Sequence, residues 1–152
     1  MVSPELLRRY PFFASLTENQ IQAIAMLGQE KQYGQGAILI QEETPAETLM
    51  LLLDGDVDLI YSGGGEGAVV NALVGSVAAG EILGVSSLIP PYRYICSARN
   101  NVPVRVVEFD ARRLREMMEE DSRLGYVLMA NTAAAVLERL KYTQVELAAA
   151  RA

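Results

Sequence analysis

Apolar residues change their spacing twice along the 152-residue chain, which divides the sequence into three segments. In residues 3–31 they recur at the three- to four-residue interval of a helix, as at Ile21 and Ile24. In residues 32–109 they form short runs or alternate with polar residues between glycine turns, which predicts strands. In residues 110–150 the helical interval returns. The pattern predicts one domain, mainly β, with an antiparallel sandwich or roll between helical ends.

The predicted strands of the middle segment follow one another at short intervals. They are residues 37–40, 49–53, 57–61, 68–77 and 102–109. The unbroken apolar run 49–53 indicates a strand buried on both faces. The alternation of Val57, Leu59 and Tyr61 with the residues between them predicts a half-exposed strand. Asp54-Gly55 is a hairpin signal, and the glycine-rich residues 62–67 predict a flexible tip.

Capping signals mark the predicted helices. Thr17 is followed three residues later by Gln20, which is the spacing of a capping box. Asp110 can cap a helix that carries Leu114, and the acidic residues 119–121 suit the start of the next helix.

Composition excludes several classes of function. The net charge of −6 argues against binding of nucleic acid or of an anionic membrane by this domain alone. The chain has no histidine, which removes histidine general bases, Ser-His-Asp triads and histidine metal sites, and we expect no enzyme activity. Its single cysteine, Cys96, excludes an internal disulfide and fits a reducing cytoplasm. No apolar run approaches the roughly 20 residues of a membrane span, and the first residues lack signal-peptide features.

Residues 79–99, which we call the central segment, contain the candidate site. They read as a strand end, a glycine turn, one short helical turn, the double proline Pro90-Pro91 and a new strand. The backbone N–H groups of residues 84–87 lie at the start of the helical turn, where an anion can bind. Ser86 and Ser87 add hydroxyl groups, and Arg93 lies just beyond the prolines. The layout is typical of a phosphate-binding turn.

The central segment resembles the phosphate-binding cassette of the cyclic nucleotide-binding domain family, of the catabolite activator and protein kinase A regulatory subunit type. That cassette reads roughly G-D-x-F-G-E-L-A-L, a short spacer, then P-R-A-A-T. Gly80, Leu83, Gly84 and Leu88 fall on the pattern. The resemblance extends over about residues 6–147. It implies an antiparallel β-roll (a double-stranded β-helix, jelly-roll-like) with N-terminal helices and a C-terminal helix pair.

Two positions depart from the family pattern. The family glutamate, which holds the ribose 2′-hydroxyl, falls on Val85, and the family arginine, which pairs with the cyclic phosphate, falls on Tyr94. Arg93 lies one place early, and a one-residue shift in a strand turns a side chain to the opposite face. Arg93 therefore either compensates for the missing arginine or is a solvated loop residue. Val85 is either a packed core residue or a lost ribose contact.

The last predicted helix carries a long, alanine-rich apolar stripe. One small roll cannot cover all of it, so we expect a homodimer through residues 124–147. The alternative is that the helix folds back on its own domain or frays. Regulators of the family place a base-contacting threonine in a run R-L-x-x-T on this helix, and residues 139–143 match that run with Thr143. The resemblance also implies a hinge region, here residues 109–122.

Together these residues define a candidate ligand site. Its members are Gly84, Val85, Ser86, Ser87, Arg93, Tyr94, Ile95, Cys96, Ser97 and Thr143. The resemblance favours a cytoplasmic regulatory module that senses a ligand or binds a protein, with ordinary cAMP and cGMP binding weak or lost. The alternatives are a genuine cyclic nucleotide sensor that uses Arg93 and the amides of residues 84–87, and, ranked last, a small jelly-roll enzyme. A cyclic nucleotide or another small anion is the candidate ligand, and no metal or other cofactor is predicted.

Overall fold

The computed structural model describes residues 1–63 and 71–152. The helices in these residues are α1 (Pro4–Arg8), α2 (Pro11–Ala14), α3 (Glu18–Leu27), a short 3₁₀ helix (Val85–Leu88), α4 (Ala111–Glu120) and α5 (Ser122–Arg151). The strands are β1 (Gly28–Tyr33), β2 (Ile38–Ile40), β3 (Thr48–Asp54), β4 (Asp56–Tyr61), β5 (Ala72–Ala78), β6 (Ile82–Leu83), β7 (Ser97–Arg99) and β8 (Val104–Asp110).

The strands form two four-stranded sheets. One has the order β1-β8-β3-β6 and the other β2-β7-β4-β5, and the neighbouring strands pair antiparallel. Three short helices precede the sheets and two helices follow them. This arrangement confirms the predicted mainly β, antiparallel roll with N-terminal helices and a C-terminal helix pair.

Several predicted boundaries are wrong. Residues 28–31 were expected to be helical, but they belong to β1, which pairs with β8 from Gly28 opposite Phe109 onward. Most of β1 is polar and exposed, so its strand character comes from backbone pairing and leaves no apolar alternation in the sequence. The last strand begins at Val104 rather than at residue 102, because Pro103 lies between them. The predicted tip and the start of the strand predicted over 68–77 fall partly in residues 64–70, outside the described residues.

Strand β3 lies between two apolar clusters. Leu49, Leu51 and Leu53 face the helices, where they join residues such as Phe13 and Leu128. Met50 and Leu52 alternate with them and face the interior of the roll, together with Val57, Leu59, Val106 and Tyr94. All five residues 49–53 are buried, which confirms the predicted two-sided burial of this strand.

The predicted helix caps form. The Thr17 hydroxyl accepts from the Gln20 backbone N–H at 3.3 Å, and the Gln20 Oε1 accepts from the Thr17 N–H at 2.9 Å. The Asp110 carboxylate accepts from the Arg113 N–H at 3.2 Å at the start of α4. Asp121 caps α5 through the Leu124 N–H at 3.1 Å and also accepts from the Gln20 Nε2 at 3.2 Å. Gln20 thereby joins the start of α3 to the start of α5.

Helix α5 leaves the roll partway along its length. Its buried residues, Leu124, Leu128 and Thr132, all lie in the first part of the helix. Residues 140–151 are exposed. None of the helices within residues 1–63 and 71–152 combines the length and the apolar character needed to cross a membrane.

The cap of α5 makes a testable contribution to stability. The hydrogen bond from the Leu124 N–H lowers the pKa of Asp121 below its ordinary value of 3.8, and the hydrogen bond from the Gln20 side chain makes the next largest contribution. A lowered carboxylate pKa stabilises the fold above the ordinary value, and this contribution is lost as the pH falls through the folded-state value. Asp121→Asn keeps a good capping residue but removes the charge. We expect the variant to be less stable than the wild type at neutral pH, with the gap closing below pH 3.8.

Urea unfolding, monitored by circular dichroism at neutral pH and below pH 3.8, measures this difference in the free energy of unfolding. Asp56→Asn, at the exposed start of β4, is the matched control and should change little at either pH. A gap for Asp121→Asn that stays constant with pH would show that the charge is not the stabilising feature.

Candidate functional site

The start of the central segment is fixed by its close approach to β3. Gly84 has a φ of 84°, in the left-handed region, and a Cβ there would lie 2.8 Å from the Thr48 carbonyl oxygen. Only glycine satisfies both conditions without strain. The 3₁₀ helix begins at the next residue, with the Ser87 N–H donating to the Gly84 carbonyl at 3.0 Å.

The end of the central segment is held by the loop before β3. The Tyr92 N–H closes the turn on the Ile89 carbonyl at 2.8 Å. The Tyr94 N–H then donates to the Thr44 carbonyl at 3.1 Å, and the Tyr94 carbonyl accepts from Glu43 at 2.9 Å. Pro45 and Arg93 form a bridge between these two stretches. This pairing extends the backbone at residues 93–94, so their side chains point to opposite faces.

Tyr94, at the position of the family arginine, is part of the core. Its side chain is 7% exposed. Its hydroxyl donates to the Thr48 carbonyl at 2.7 Å and accepts from the Thr48 N–H at 3.2 Å. Burial raises the pKa of Tyr94, so the hydroxyl keeps its proton at neutral pH. The hydrogen bonds of Tyr94 therefore tie the central segment to β3.

Arg93 and Val85 both make their contacts within this chain. Arg93 is exposed, and its guanidinium donates to the Glu43 carbonyl, on the face opposite Tyr94. Val85 is half-buried and packs against the cluster between the sheet and the helices. The structure thus places Arg93 in a loop contact and Val85 at the edge of the core.

The serines of the central segment have separate environments. Ser86 is half-buried, whereas the Ser87 hydroxyl is buried without a hydrogen-bond partner among the described residues. The Ser87 carbonyl accepts from the Arg115 Nη1 at 2.6 Å. The Ser97 hydroxyl accepts from the Glu42 N–H at 2.9 Å. The Ser87 carbonyl is thereby linked to α4, and Ser97 to the loop before β3.

Ile95 and Cys96 lie on opposite sides of the chain. Ile95 is 72% exposed, whereas Cys96 is half-buried against the interior cluster of the roll. Burial raises the pKa of the Cys96 thiol; Arg139 opposes this shift and Glu42 adds to it. Cys96 is therefore a neutral thiol at neutral pH, and the charge of Arg139 acts near it.

A cavity of about 800 Å³ opens between β5 and α5, and we call it the β5–α5 cavity. Its lining includes Phe12 from α2, Leu73 to Ser76 from β5, and Gly80 to Ile82. Helix α5 contributes Asn131, Ala134, Ala135, Glu138, Arg139, Tyr142, Thr143 and Glu146. Of the ten predicted site residues, Thr143 alone belongs to this lining. The central segment from Gly84 onward lies outside it.

Arg139 is the functional candidate that the sequence analysis missed. It is half-buried on α5, and its Nη1 would lie 3.2 Å from a Cβ placed on Gly75 of β5. The guanidinium therefore reaches across the cavity to the strand. Arg139 opens the R-L-x-x-T run, which was the available signal, but that run drew attention only to Thr143.

The fold and the glycine turn define a class of small β-roll domains closed by C-terminal helices. The sequence profile of the cyclic nucleotide-binding domain matches residues 30–121, more than half of the chain. A putative cyclic nucleotide-binding protein from Geobacter metallireducens GS-15 is 51% identical, covers 92% of this chain and 99% of its own, and has a TM-score of 0.83. The chain belongs to the cyclic nucleotide-binding domain family.

Two further solved structures resemble this chain in fold. A mutant regulatory subunit of a cAMP-independent protein kinase A from Trypanosoma brucei is 17% identical, with 94% of this chain and 49% of that chain covered and a TM-score of 0.74. The c-di-GMP responsive regulator CLP from Xanthomonas campestris is 17% identical, with 87% and 63% covered and a TM-score of 0.71. The comparison with curated proteins found no match.

The close approach of Gly84 to β3 can be tested with two glycines of the same backbone conformation. Gly84 and Gly36 both have a φ of 84°, but a Cβ on Gly36 would meet nothing within 4 Å. We expect Gly36→Ala to lower the free energy of unfolding by about 1–2 kcal/mol, from backbone strain alone. Gly84→Ala should lower it by a further ~1–3 kcal/mol, because the methyl group collides with the Thr48 carbonyl.

Urea unfolding of the two variants and the wild type measures both losses. Equal losses would mean that β3 gives way to the methyl group and that the approach does not constrain the central segment.

Proposed function

We propose that this domain is a non-catalytic, cytoplasmic regulatory module in which ordinary cAMP and cGMP binding is weak or lost. The observation that carries the proposal is the buried Tyr94 at the position of the family arginine, with its hydroxyl engaged by the Thr48 backbone. Arg93, the nearest substitute, points to the other face and donates to the Glu43 carbonyl. Both polar groups therefore donate to backbone carbonyls outside residues 84–87.

The magnitude of the loss supports weak binding. Removing one partner of a buried charge pair with phosphate costs about 2–5 kcal/mol. Replacing a carboxylate by Val85 removes charge-assisted hydrogen bonds to ribose hydroxyls, worth about 1.5–3 kcal/mol. The two changes together amount to roughly 4–8 kcal/mol. A micromolar site, at about −8 kcal/mol, would become millimolar or weaker.

The structural neighbours support ligand diversity on this fold. The neighbour from Trypanosoma brucei is described as cAMP-independent, and its mutant is bound to cAMP in the A site. The neighbour from Xanthomonas campestris is described as c-di-GMP responsive. Because both are only 17% identical to this chain, they indicate what the fold accommodates. They are consistent with a module whose ligand is not an ordinary cyclic nucleotide.

The exposed face of α5 supports a homodimer through residues 124–147. Residues that alternate at three- and four-residue spacing are exposed along this helix, and we call them the α5 seam. They are Tyr126, Met129, Ala133, Val136, Leu140, Thr143 and Leu147. This spacing is the heptad pattern of a coiled coil, and a second copy of the chain would present the same pattern. Leu124 and Leu128, on another side of the helix, are already buried against the roll.

Titration calorimetry with cAMP and cGMP tests the proposed loss of nucleotide binding. We expect no measurable binding of either nucleotide in the micromolar range by the wild type, because Tyr94 and Val85 provide neither of the family's contacts. Micromolar binding that disappears in Arg93→Ala would overturn the proposal in favour of a genuine nucleotide sensor. Arg99→Ala, an exposed arginine at the end of β7, is the control for a general charge effect.

Two valines on α5 test the homodimer. Val136 lies in the α5 seam, and Val145 lies nine residues later, on the opposite side of the helix. Both are exposed. We expect the wild type to have twice the 16.6 kDa chain mass in light scattering at micromolar concentration, and Val136→Glu to have the single-chain mass. Val145→Glu should remain dimeric.

A wild-type monomer would contradict the homodimer. Loss of the dimer in both valine variants alike would place the contact away from the α5 seam.

A further inference from the structure

A second cavity opens at the junction of β8 and α4, and we call it the β8–α4 cavity. Its volume is about 370 Å³, near the lower end of the roughly 300–1,000 Å³ that is usual for ligand pockets. The end of β8, the first turn of α4 and the end of α3 contribute to its lining. Of the described residues, none lines both this cavity and the β5–α5 cavity, and none of residues 84–97 lines it. The space is therefore a separate site for a small ligand.

The fold brings three chain segments together around this cavity. Glu108 and Asp110 are two residues apart on β8, so their side chains belong to the same face of the sheet. Asp110 lies opposite Thr48 of β3. Glu47 precedes Thr48, and its backbone carbonyl accepts from the Ala111 N–H at 2.9 Å. The end of β8, the start of β3 and the start of α4 are thereby held beside one another.

Two of the carboxylates in the lining are already engaged within the chain. The Glu108 side chain is 14% exposed, and its carboxylate accepts from the Tyr33 hydroxyl and lies 3.2 Å from the Lys31 Nζ. The Asp110 carboxylate accepts from the Arg113 backbone N–H at 3.2 Å, as the cap of α4. Both groups are therefore part of the frame of the cavity.

Glu47 and Arg113 supply two opposite charges that are not paired with each other. Both side chains line the cavity, and both residues are exposed. In the part of the chain that the structure describes, the ion pairs within 4.0 Å include neither of them. The first turn of α4 carries Arg112 and Arg113, although the helix dipole favours negative charge at this end. An anion bound there would be attracted by the guanidinium and by the helix end together.

Apolar surface lies beside these charges. Met26, near the end of α3, lines the cavity and is 69% exposed. Leu27 follows it in the lining and is half-buried. An aliphatic group placed against Met26 would remove apolar surface from water, which favours an occupant with an apolar part.

The charges of the lining favour an occupant that carries both signs. An ammonium group alone would place a second cation near Arg113, and a carboxylate alone would lie near Glu47 and Asp110, so each would meet a like charge. A zwitterion pairs with both free side chains, and a guanidinium binds a carboxylate through two parallel hydrogen bonds. The small volume of the cavity favours a ligand whose two charges are close together.

We propose that the β8–α4 cavity binds a small zwitterion of the α-amino acid type with an aliphatic side chain. Its carboxylate pairs with Arg113, its ammonium group pairs with Glu47, and its side chain packs on Met26. The inference goes beyond the proposed function, because this site uses neither the central segment nor the β5–α5 cavity. It assigns a binding activity to a face of the domain that is independent of cyclic nucleotides.

Three ligands with the same aliphatic chain separate the roles of the two charges. Leucine carries both charges, 4-methylpentanoate lacks the ammonium group, and 3-methylbutylamine lacks the carboxylate. Titration of the isotope-labelled full chain, followed by the amide shifts in NMR spectra, measures each affinity and locates the site. We expect saturable leucine binding at millimolar concentration or below, with the largest shifts at residues 26–29, 47–48 and 108–113. Each single-charge analogue should bind about five- to tenfold more weakly, between the values for an exposed ion pair and a charge-assisted hydrogen bond.

Matched variants assign each charge to its partner. Arg113→Gln should weaken leucine binding about five- to tenfold without weakening 3-methylbutylamine, which has no carboxylate. Glu47→Gln should weaken leucine and 3-methylbutylamine without weakening 4-methylpentanoate. Arg112→Gln changes the neighbouring exposed arginine, which lies 3.5 Å from the Glu116 carboxylate, and should leave all three affinities unchanged. The dispersion of the same NMR spectra verifies that each variant is folded.

The outcomes separate the zwitterion site from the alternatives. Absence of saturable leucine binding, or shifts centred on the β5–α5 cavity, would overturn the inference. Leucine binding no tighter than that of 3-methylbutylamine would reveal a cation site and would overturn it too, as would equal effects of Arg113→Gln and Arg112→Gln. Tighter binding of leucine than of both analogues, lost in the two matched variants, would support it. The proposed loss of cyclic nucleotide binding is tested separately by calorimetry with cAMP and cGMP, so either proposal can fail alone.

Discussion

Two residues of the central segment, Gly84 and Tyr94, approach the same carbonyl group on β3. The Thr48 oxygen accepts the Tyr94 hydroxyl at 2.7 Å, and it lies 2.8 Å from where a Cβ on Gly84 would be. One peptide unit therefore requires glycine at the start of the segment and engages tyrosine near its end. The paired, extended backbone around residue 94 then directs Arg93 to the outer face. The candidate phosphate site depends on this contact because it determines which side chains can face the turn.

Tyrosine at this position changes what the roll requires of a ligand. An arginine directed into the roll would be a partly buried cation, which needs an anion to offset its desolvation. Tyr94 is neutral and its hydroxyl finds both hydrogen-bond partners on the Thr48 backbone, so this side chain is satisfied by the chain itself. Val85 acts in the same direction by packing against the core. Both residues at the departing positions thus make their contacts within the chain itself.

The sequence predicted those parts of the fold that depend on neighbours in the chain. The capping box at Thr17 and the buried run of β3 are local patterns, and both are confirmed. The strand character of residues 28–31 was missed because polar side chains there pair through the backbone with β8, which is remote in sequence. Long-range pairing with residues 43–46 likewise determines the loop contact of Arg93, which spacing alone could not predict.

Helix α5 carries two adjoining surfaces, the lining of the β5–α5 cavity and the α5 seam, which share Thr143. Residues such as Leu128 and Arg139 face the roll or the β5–α5 cavity, whereas Val136 and Leu140 lie in the exposed seam. The lining residues and the seam belong to one continuous helix of 30 residues, so a change in the position of the helix would involve both. An occupant of the cavity would cause such a change only if it bound two positions of the helix with different affinity. The two walls of the cavity belong to separate elements, β5 and α5, and Arg139 reaches from one to the other.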